Sequence, residues 1–228
     1  MNSVSNIKIN QYLKQTRELY GNNLYLEADS YLNNDTPSDT HASNEYQSNL
    51  NSFNKQINEC QRCSLGATRT NFVFGVGDPN ASLVLVGEAP GEQEDLKGEP
   101  FVGRAGKLLD KILSAINRSR EKDVYICNVL KCRPPNNRDP LSIEVKECEP
   151  YLLHQINLIK PKLIVALGRV AGMTLLNVDN SLKSMRGQIH DYNGTQLIVT
   201  YHPAALLRNS NWKPEAWKDF KWIRSIID

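Results

Sequence analysis

The residues best equipped for chemistry fall into two groups. Four of the five cysteines are spaced so that they could share one metal centre. Cys60-Gln61-Arg62-Cys63 is a C-x2-C pair, Cys132 lies in KCRPP, and Cys148 follows in KECEP after fifteen intervening residues. A C-x2-C pair lets two sulfurs hold one centre, and four thiolates suit tetrahedral zinc or an iron–sulfur cluster. The second pair is not C-x2-C, so spacing alone leaves unligated thiols open as well. Cys127, inside the apolar run VYIC, reads as a small buried hydrophobe. A thioredoxin-like redox pair is disfavoured, because Cys60 and Cys63 precede any strand–helix–strand unit.

The second group sits in short loops. Gly87–Asp95 (GEAPGEQED) mixes glycines with four acids. Those acids would repel a phosphate, which argues against a nucleotide cradle. Glu88 or Glu94 could instead position water or stabilise developing positive charge, or could simply be solvated. Phe101 stands between glycines and a proline in GEPFVGRAG, where a ring either packs locally or offers a stacking surface to a base. Asn128 closes the run VYICN; it is a common turn former, and its amide also presents a donor beside an acceptor. His202 follows LIVTY, and a lone histidine is ordinarily structural. Together, a ring, an amide, an imidazole and a carboxylate describe a pocket for a planar heterocycle. No Ser/His/Asp or Cys/His nucleophile arrangement and no HExxH motif accompanies them.

These residues need elements to place them. Apolar, β-branched runs occur at 83–86 (LVLV), 124–127 (VYIC), 163–166 (LIVA) and 197–199 (LIV), with helical patterns at 105–116, 143–159 and 169–176 between them. Continuous apolar strands alternating with helices predict an α/β fold, a three-layer α/β/α sandwich around a central four-stranded parallel sheet. Ligands in such sheets bind beyond the C-terminal strand ends, which marks the loops at 87–95, 128–138, 168 and 201–208.

The 228 residues suffice for one such domain plus a tail. The first 58 residues hold 12 Asn and 7 Ser, and carry four basic against six acidic side chains. Ile9, Tyr12, Leu13, Thr16 and Leu19 recur at helical spacing, so a short amphipathic helix is expected over 7–20. Residues 33–54 are polar and turn-rich and read as a flexible linker. The expected division is therefore 1–58, helix plus linker, and 59–228, the α/β domain that carries both groups of residues. The rest of the chain is net +4, a mild bias that permits a polyanion partner without demonstrating one. No apolar run approaches the ~18 residues of a membrane span, and the N-terminus has no apolar signal core. A cytoplasmic, reducing location and a monomer are expected, without disulfides.

GEAPGEQED, GEPFVGRAGKLLD, NVLKCRPPNNRDP, the spaced Cys148 and TYHPAALLR, in that order, resemble the family-4 uracil-DNA glycosylases. The resemblance runs from Cys60 to about Ile227, roughly three quarters of the chain, and leaves the first 58 residues outside. It implies excision of uracil from DNA and a [4Fe–4S] cluster of mainly structural role on Cys60, Cys63, Cys132 and Cys148. Cluster is preferred to zinc on resemblance alone. A sister group that bonds covalently to uracil-DNA carries an extra basic loop with a histidine after the second strand; KCRPPNNRDP stands there instead, so trapping is not expected. Where the best-studied glycosylases have Asp in GQDPYH, this chain has Ala89, so water positioning must fall to another residue.

The resemblance also implies roles. Uridine is flipped out of the duplex, Phe101 stacks on it, Asn128 reads O4 and N3–H, and His202 donates to O2. Glu88 or Glu94 supports the cationic sugar or orients water, with Glu94 slightly favoured and Asn137 a secondary candidate. Gly87 and Ala89 border the base, while Leu206, Leu207 and Arg208 match the loop that wedges into the duplex. Arg104, Lys107, Lys131, Arg133 and Arg138 are candidates for phosphate contacts or ordinary surface charges. Two other classes compete: a non-catalytic metal-bearing DNA-binding module, and a polymerase accessory protein that docks a protein partner through its N-terminal helix.

Overall fold

A computed structural model describes residues 49–228. The expected helix over 7–20, and the linker up to residue 48, lie outside the described residues. The strands are β1 (Val76–Gly77), β2 (Leu83–Gly87), β3 (Val124–Asn128), β4 (Leu163–Leu167), β5 (His190–Tyr192) and β6 (Thr195–Thr200). They form one sheet in the order β1-β3-β2-β4-β6-β5. The four expected strands are its parallel centre. Antiparallel β1 and β5 extend it to six, being too short and too polar to stand out as apolar runs.

The central strands are apolar at every position because helices cover both faces. Leu83, Leu85, Ile126, Val165 and Ile198 point one way, onto Leu109 and Leu113 of α3 (Arg104–Ala115) and Phe220 and Ile223 of α8 (Lys213–Ile227). Val84, Val86, Ile164 and Val199 point the other way, onto Leu152 and Ile156 of α4 (Ser142–Ile159) and Leu175 of α5 (Arg169–Leu176). Each such side chain, fully buried, contributes roughly 1.5–3 kcal/mol. Residues 49–57 are also helical (α1), burying Leu50, Phe53 and Ile57 on the second face. The packed domain thus takes in residues 49–54, which their composition assigns to the linker. Among the described residues three short α-helices complete the set: α2 (Glu92–Lys97), α6 (Leu182–Met185) and α7 (Pro203–Arg208).

Topology places the site. The chain leaves β2 for α3 on one face of the sheet and leaves the adjacent β4 for α5 on the other. The two connections diverge at the C-terminal strand ends, and a crevice opens between them.

Candidate active site

A cleft of about 750 Å³ fills this crevice, walled by the loops after β2, β3, β4 and β6. Glu88, Ala89, Glu94, Phe101, Asn128, Asn137, His202 and Arg208 all line it. The β2–β3 ladder fixes the position of Asn128. Gly87 pairs with Asn128, and the N–H groups of Val129 and Leu130 donate to the carbonyls of Gly87 and Glu88 at 2.9 and 3.0 Å. Gly87 lies under the cleft rather than along it. A β-carbon there would stand 2.3 Å from Asn128 Oδ1 and 2.8 Å from the Phe101 ring, so glycine is what lets those two side chains meet.

Phe101 adopts φ 54°, a left-handed conformation that bulky residues avoid. Its surroundings enforce it. Arg120 donates to the carbonyls of Phe101 and Pro100 at 3.0 and 3.1 Å and is itself paired with Asp110 at 2.7 Å. Gly106 leaves the space that the Phe101 carbonyl fills, since a β-carbon there would overlap it. The buried ring ends 5.4 Å from the His202 ring, tilted 33° to it.

His202 caps α7: its Nδ1 accepts the Ala204 N–H at 3.1 Å. Burial, then the nearby Arg208 charge, depress its pKa to about 4 against the pull of Glu94. The imidazole is therefore neutral, and with Nδ1 accepting, the ring proton sits on Nε2 as the remaining donor.

The acids of the 87–95 loop have separate fates. Glu88 faces the cleft, and burial, then repulsion from Asp139, raise its pKa to about 7 despite Arg169. Glu94 Oε1 accepts the N–H groups of Val102 and Gly103, both at 3.0 Å, at the start of α3. Buried Asp95 accepts the N–H groups of Thr70 and Asn71 at 2.9 and 3.3 Å and secures the preceding segment. Glu92 has no such internal role and is exposed on α2.

Asn137 reaches the cleft with its Oδ1 held by Arg133 Nε at 2.8 Å. Leu206 does not reach it. That side chain is buried in a second, apolar crevice with Ala216 and Phe220, while neighbouring Leu207 is exposed. Lys131 corrects an expectation: it is fully buried, with Nζ donating to the Asn128 carbonyl at 2.8 Å and to Gln155 Oε1 at 2.6 Å, and meets neither solvent nor phosphate. Arg138 is engaged by Glu144 through bonds of 2.6 and 2.8 Å. Asp139, Arg169, Lys183, Tyr201 and Trp212 also line the cleft. Sequence reasoning passed over them, although the strand-end rule points at three of their loops.

Behind the cleft lies the cysteine corner. Arg69 Nη1 donates to Cys132 Sγ at 3.4 Å and to the Cys60 carbonyl at 2.5 Å. Tyr151 Oη reaches Cys60 Sγ at 3.3 Å, and the Lys131 N–H reaches Cys148 Sγ at 3.3 Å. Burial pushes the Cys132 thiol upward, with Cys63 and Cys60 close enough to add to the effect. Burial likewise pushes Cys148 up to about 12, with Cys132 and Cys63 among the groups it feels. Cys127 is buried in the sheet, away from this set. All five cysteines are free. Among the described residues no group of three or more His, Cys, Asp or Glu side chains is arranged to hold a metal ion, and no helix is long and apolar enough to cross a membrane.

A sequence model of the uracil DNA glycosylase superfamily matches residues 74–221. The type-4 uracil-DNA glycosylase of Archaeoglobus fulgidus is 46% identical over 185 residues, 78% of this chain and 92% of the relative. That of Sulfurisphaera tokodaii is 44% identical over 185 residues, 78% and 84% of the two chains. That of Thermotoga maritima is 47% identical over 157 residues, 68% and 81% respectively. Likeness at this level, over the strands and loops that build the cleft, shows that the chain belongs to the uracil-DNA glycosylase superfamily, within its type-4 group.

Proposed function

We propose that this chain removes uracil from DNA by hydrolysing its N-glycosidic bond, leaving an abasic site for base excision repair. The observation that carries this reading is the meeting of Phe101, Asn128, His202 and Glu88 in one cleft. A base inside a duplex is out of reach, so the uridine is extruded into the cleft. Phe101 lies against one face of the base. The Asn128 amide donates to O4 and accepts from N3–H. Cytosine presents the reverse pattern, so both bonds would fail and leave buried polar groups unpaired, at about 1–3 kcal/mol each.

Breaking the C1′–N1 bond puts negative charge on the leaving uracil and positive charge on the sugar. His202 Nε2–H, on a ring that stays neutral, donates to O2 and stabilises the uracil anion. Glu88 then takes the role for which Glu94 was slightly favoured. Glu94 is engaged by two backbone N–H groups and holds the Phe101 loop, whereas Glu88 faces the cleft with a pKa suited to orienting and deprotonating the attacking water. Asn137 sits where it could help to place that water. Leu207, rather than Leu206, is exposed and free to enter the gap left in the duplex.

Cys60, Cys63, Cys132 and Cys148 would hold a [4Fe–4S] cluster. The chemistry of the donor set fits: Cys132 and Cys148 both lie close enough to Cys63 to feel it, hydrogen-bond donors reach the sulfurs of Cys60, Cys132 and Cys148, and burial disfavours a free thiolate at Cys132 and Cys148. The cluster's contribution is structural, joining the 60–63 turn, the loop after β3 and α4. The reading includes a monomer acting on DNA in the cytoplasm.

One assay tests the activity. The protein is incubated with uracil-containing and uracil-free oligonucleotides, then treated with alkali to cleave abasic sites. Uracil-dependent strand breaks are expected; their absence would reject excision. N128A should lose at least about tenfold in kcat/KM on uracil while remaining folded, and an undiminished rate would discard the base-reading assignment.

A further inference from the structure

Arg186, Tyr201 and Trp212 form a stack of planar groups beside the cleft that the excision chemistry does not use. The Arg186 guanidinium lies 4.1 Å over the Tyr201 ring. On that ring rests Trp212, with centroids 5.4 Å apart and planes 15° from parallel. The foot of the stack is locked. Arg186 donates to both oxygens of buried Asp219 at 2.9 Å, and Asp219 also accepts from Thr200 Oγ1 at 2.5 Å. Trp212, the outermost layer, keeps 40% of its surface exposed and borders the cleft, as do Lys183 and Arg208.

A scattered surface tryptophan needs no explanation. This one differs in three respects: its ring is stacked on a locked partner, it borders the cleft that holds Phe101, Asn128 and His202, and the cations Lys183 and Arg208 line that same cleft. An aromatic face beside positive charge is how proteins hold unpaired nucleotides without reading their sequence.

We infer that Trp212 is a stacking platform for the base next to the extruded uridine, and that it serves single-stranded substrate above all. The inference rests on the excision reading for the uridine itself. In a duplex the neighbouring base stays paired and stacked, and reaching Trp212 requires giving up those contacts. In a single strand it has no partner to leave, and Lys183 and Arg208 are placed to meet the phosphates on either side. The platform is tolerant of sequence, since every base has a π-face.

The test compares KM on single-stranded and duplex uracil oligonucleotides. W212A should raise the single-strand KM roughly five- to tenfold and raise the ratio of single-strand to duplex KM with it, while W212F, keeping a ring, should retain most of the affinity. Equal shifts on both substrates, or none, would overturn the inference. A second arm needs no variant. Replacing the base on one side of the uridine by an abasic analogue should raise the wild-type single-strand KM by a similar factor, and should add nothing in W212A if that protein is folded. A wild-type KM indifferent to both neighbours refutes the platform. Failure of excision itself reads out separately. If wild type forms no abasic sites, quenching of tryptophan fluorescence by uracil-free single strand, lost in W212F, still decides in favour of the platform, and unchanged quenching decides against it.

Discussion

The cleft and the cysteine corner share one loop, Asn128 at its start and Cys132 four residues on, yet they are assembled by opposite means. The cleft residues hang from strand ends whose register the backbone ladder sets, and bulky Phe101 is clamped by Arg120. They stand in place before any substrate arrives. The cysteines come from a turn, a loop and a helix, tied by a few hydrogen bonds onto sulfur, with burial pushing the Cys132 and Cys148 thiols up. The first arrangement is preorganised by the fold; the second, on the cluster reading proposed above, would depend on what it binds. Losing a cleft residue should therefore cost rate, and losing a cysteine should cost the fold.

The largest expected effect comes from the corner. On the proposed cluster reading wild type is brown, and C148S should lose that colour and at least about 10 °C of thermal midpoint, because binding free energy at such a centre would be folding free energy. A wild-type midpoint by calorimetry would break the comparison. In the cleft, H202A should lower kcat by about 10²–10³. Its midpoint should fall by only a few degrees, through the lost cap on Ala204 at about 1 kcal/mol. G87A would force Asn128 and Phe101 apart, and a drop of ten- to a hundredfold in kcat/KM is expected, with circular dichroism unchanged. Next in size is E88Q, at about tenfold. Glu88 is raised to about 7, so it is protonated below neutrality and kcat/KM should climb as pH rises through 7. In E88Q that limb should vanish, and His202, neutral above about 4, supplies none in its place. The smallest effect belongs to E94Q, which weakens two charge-assisted bonds by about 1 kcal/mol in total and should raise KM two- to fivefold.

Sequence reasoning reached the sheet centre because strands buried on both faces cannot help but be apolar, as in LVLV and LIVA. It missed β1 and β5 for the converse reason: two and three residues leave no periodicity. A signal for β5 was available in Asn193-Gly194, whose φ values of 50° and 86° turn the hairpin into β6. Helix α1 was obscured by the Asn and Ser around it, although Leu50, Phe53 and Ile57 keep helical spacing. Most of the candidate cleft residues could be named from the rule that ligands gather at strand ends. Asp139, Lys183 and Trp212 could not, since each is an unremarked surface residue until its loop is folded against the others. Glu88 and Glu94 were indistinguishable on paper, because what separates them is a pair of backbone N–H groups that exists only once α3 has formed. Lys131 looked like a surface charge for the same reason, its burial being a property of α4 packing over it.

The brevity of β1 and β5 has a consequence of its own. Parallel strands as oily as β2 and β4 would invite another sheet to zip on if they lay at a rim, the usual beginning of aggregation. Here each rim is occupied by a stub going the opposite way, one of them the polar HDY, too short to template a neighbour. The chain can thus keep an apolar sheet interior without presenting a long apolar strand at either rim.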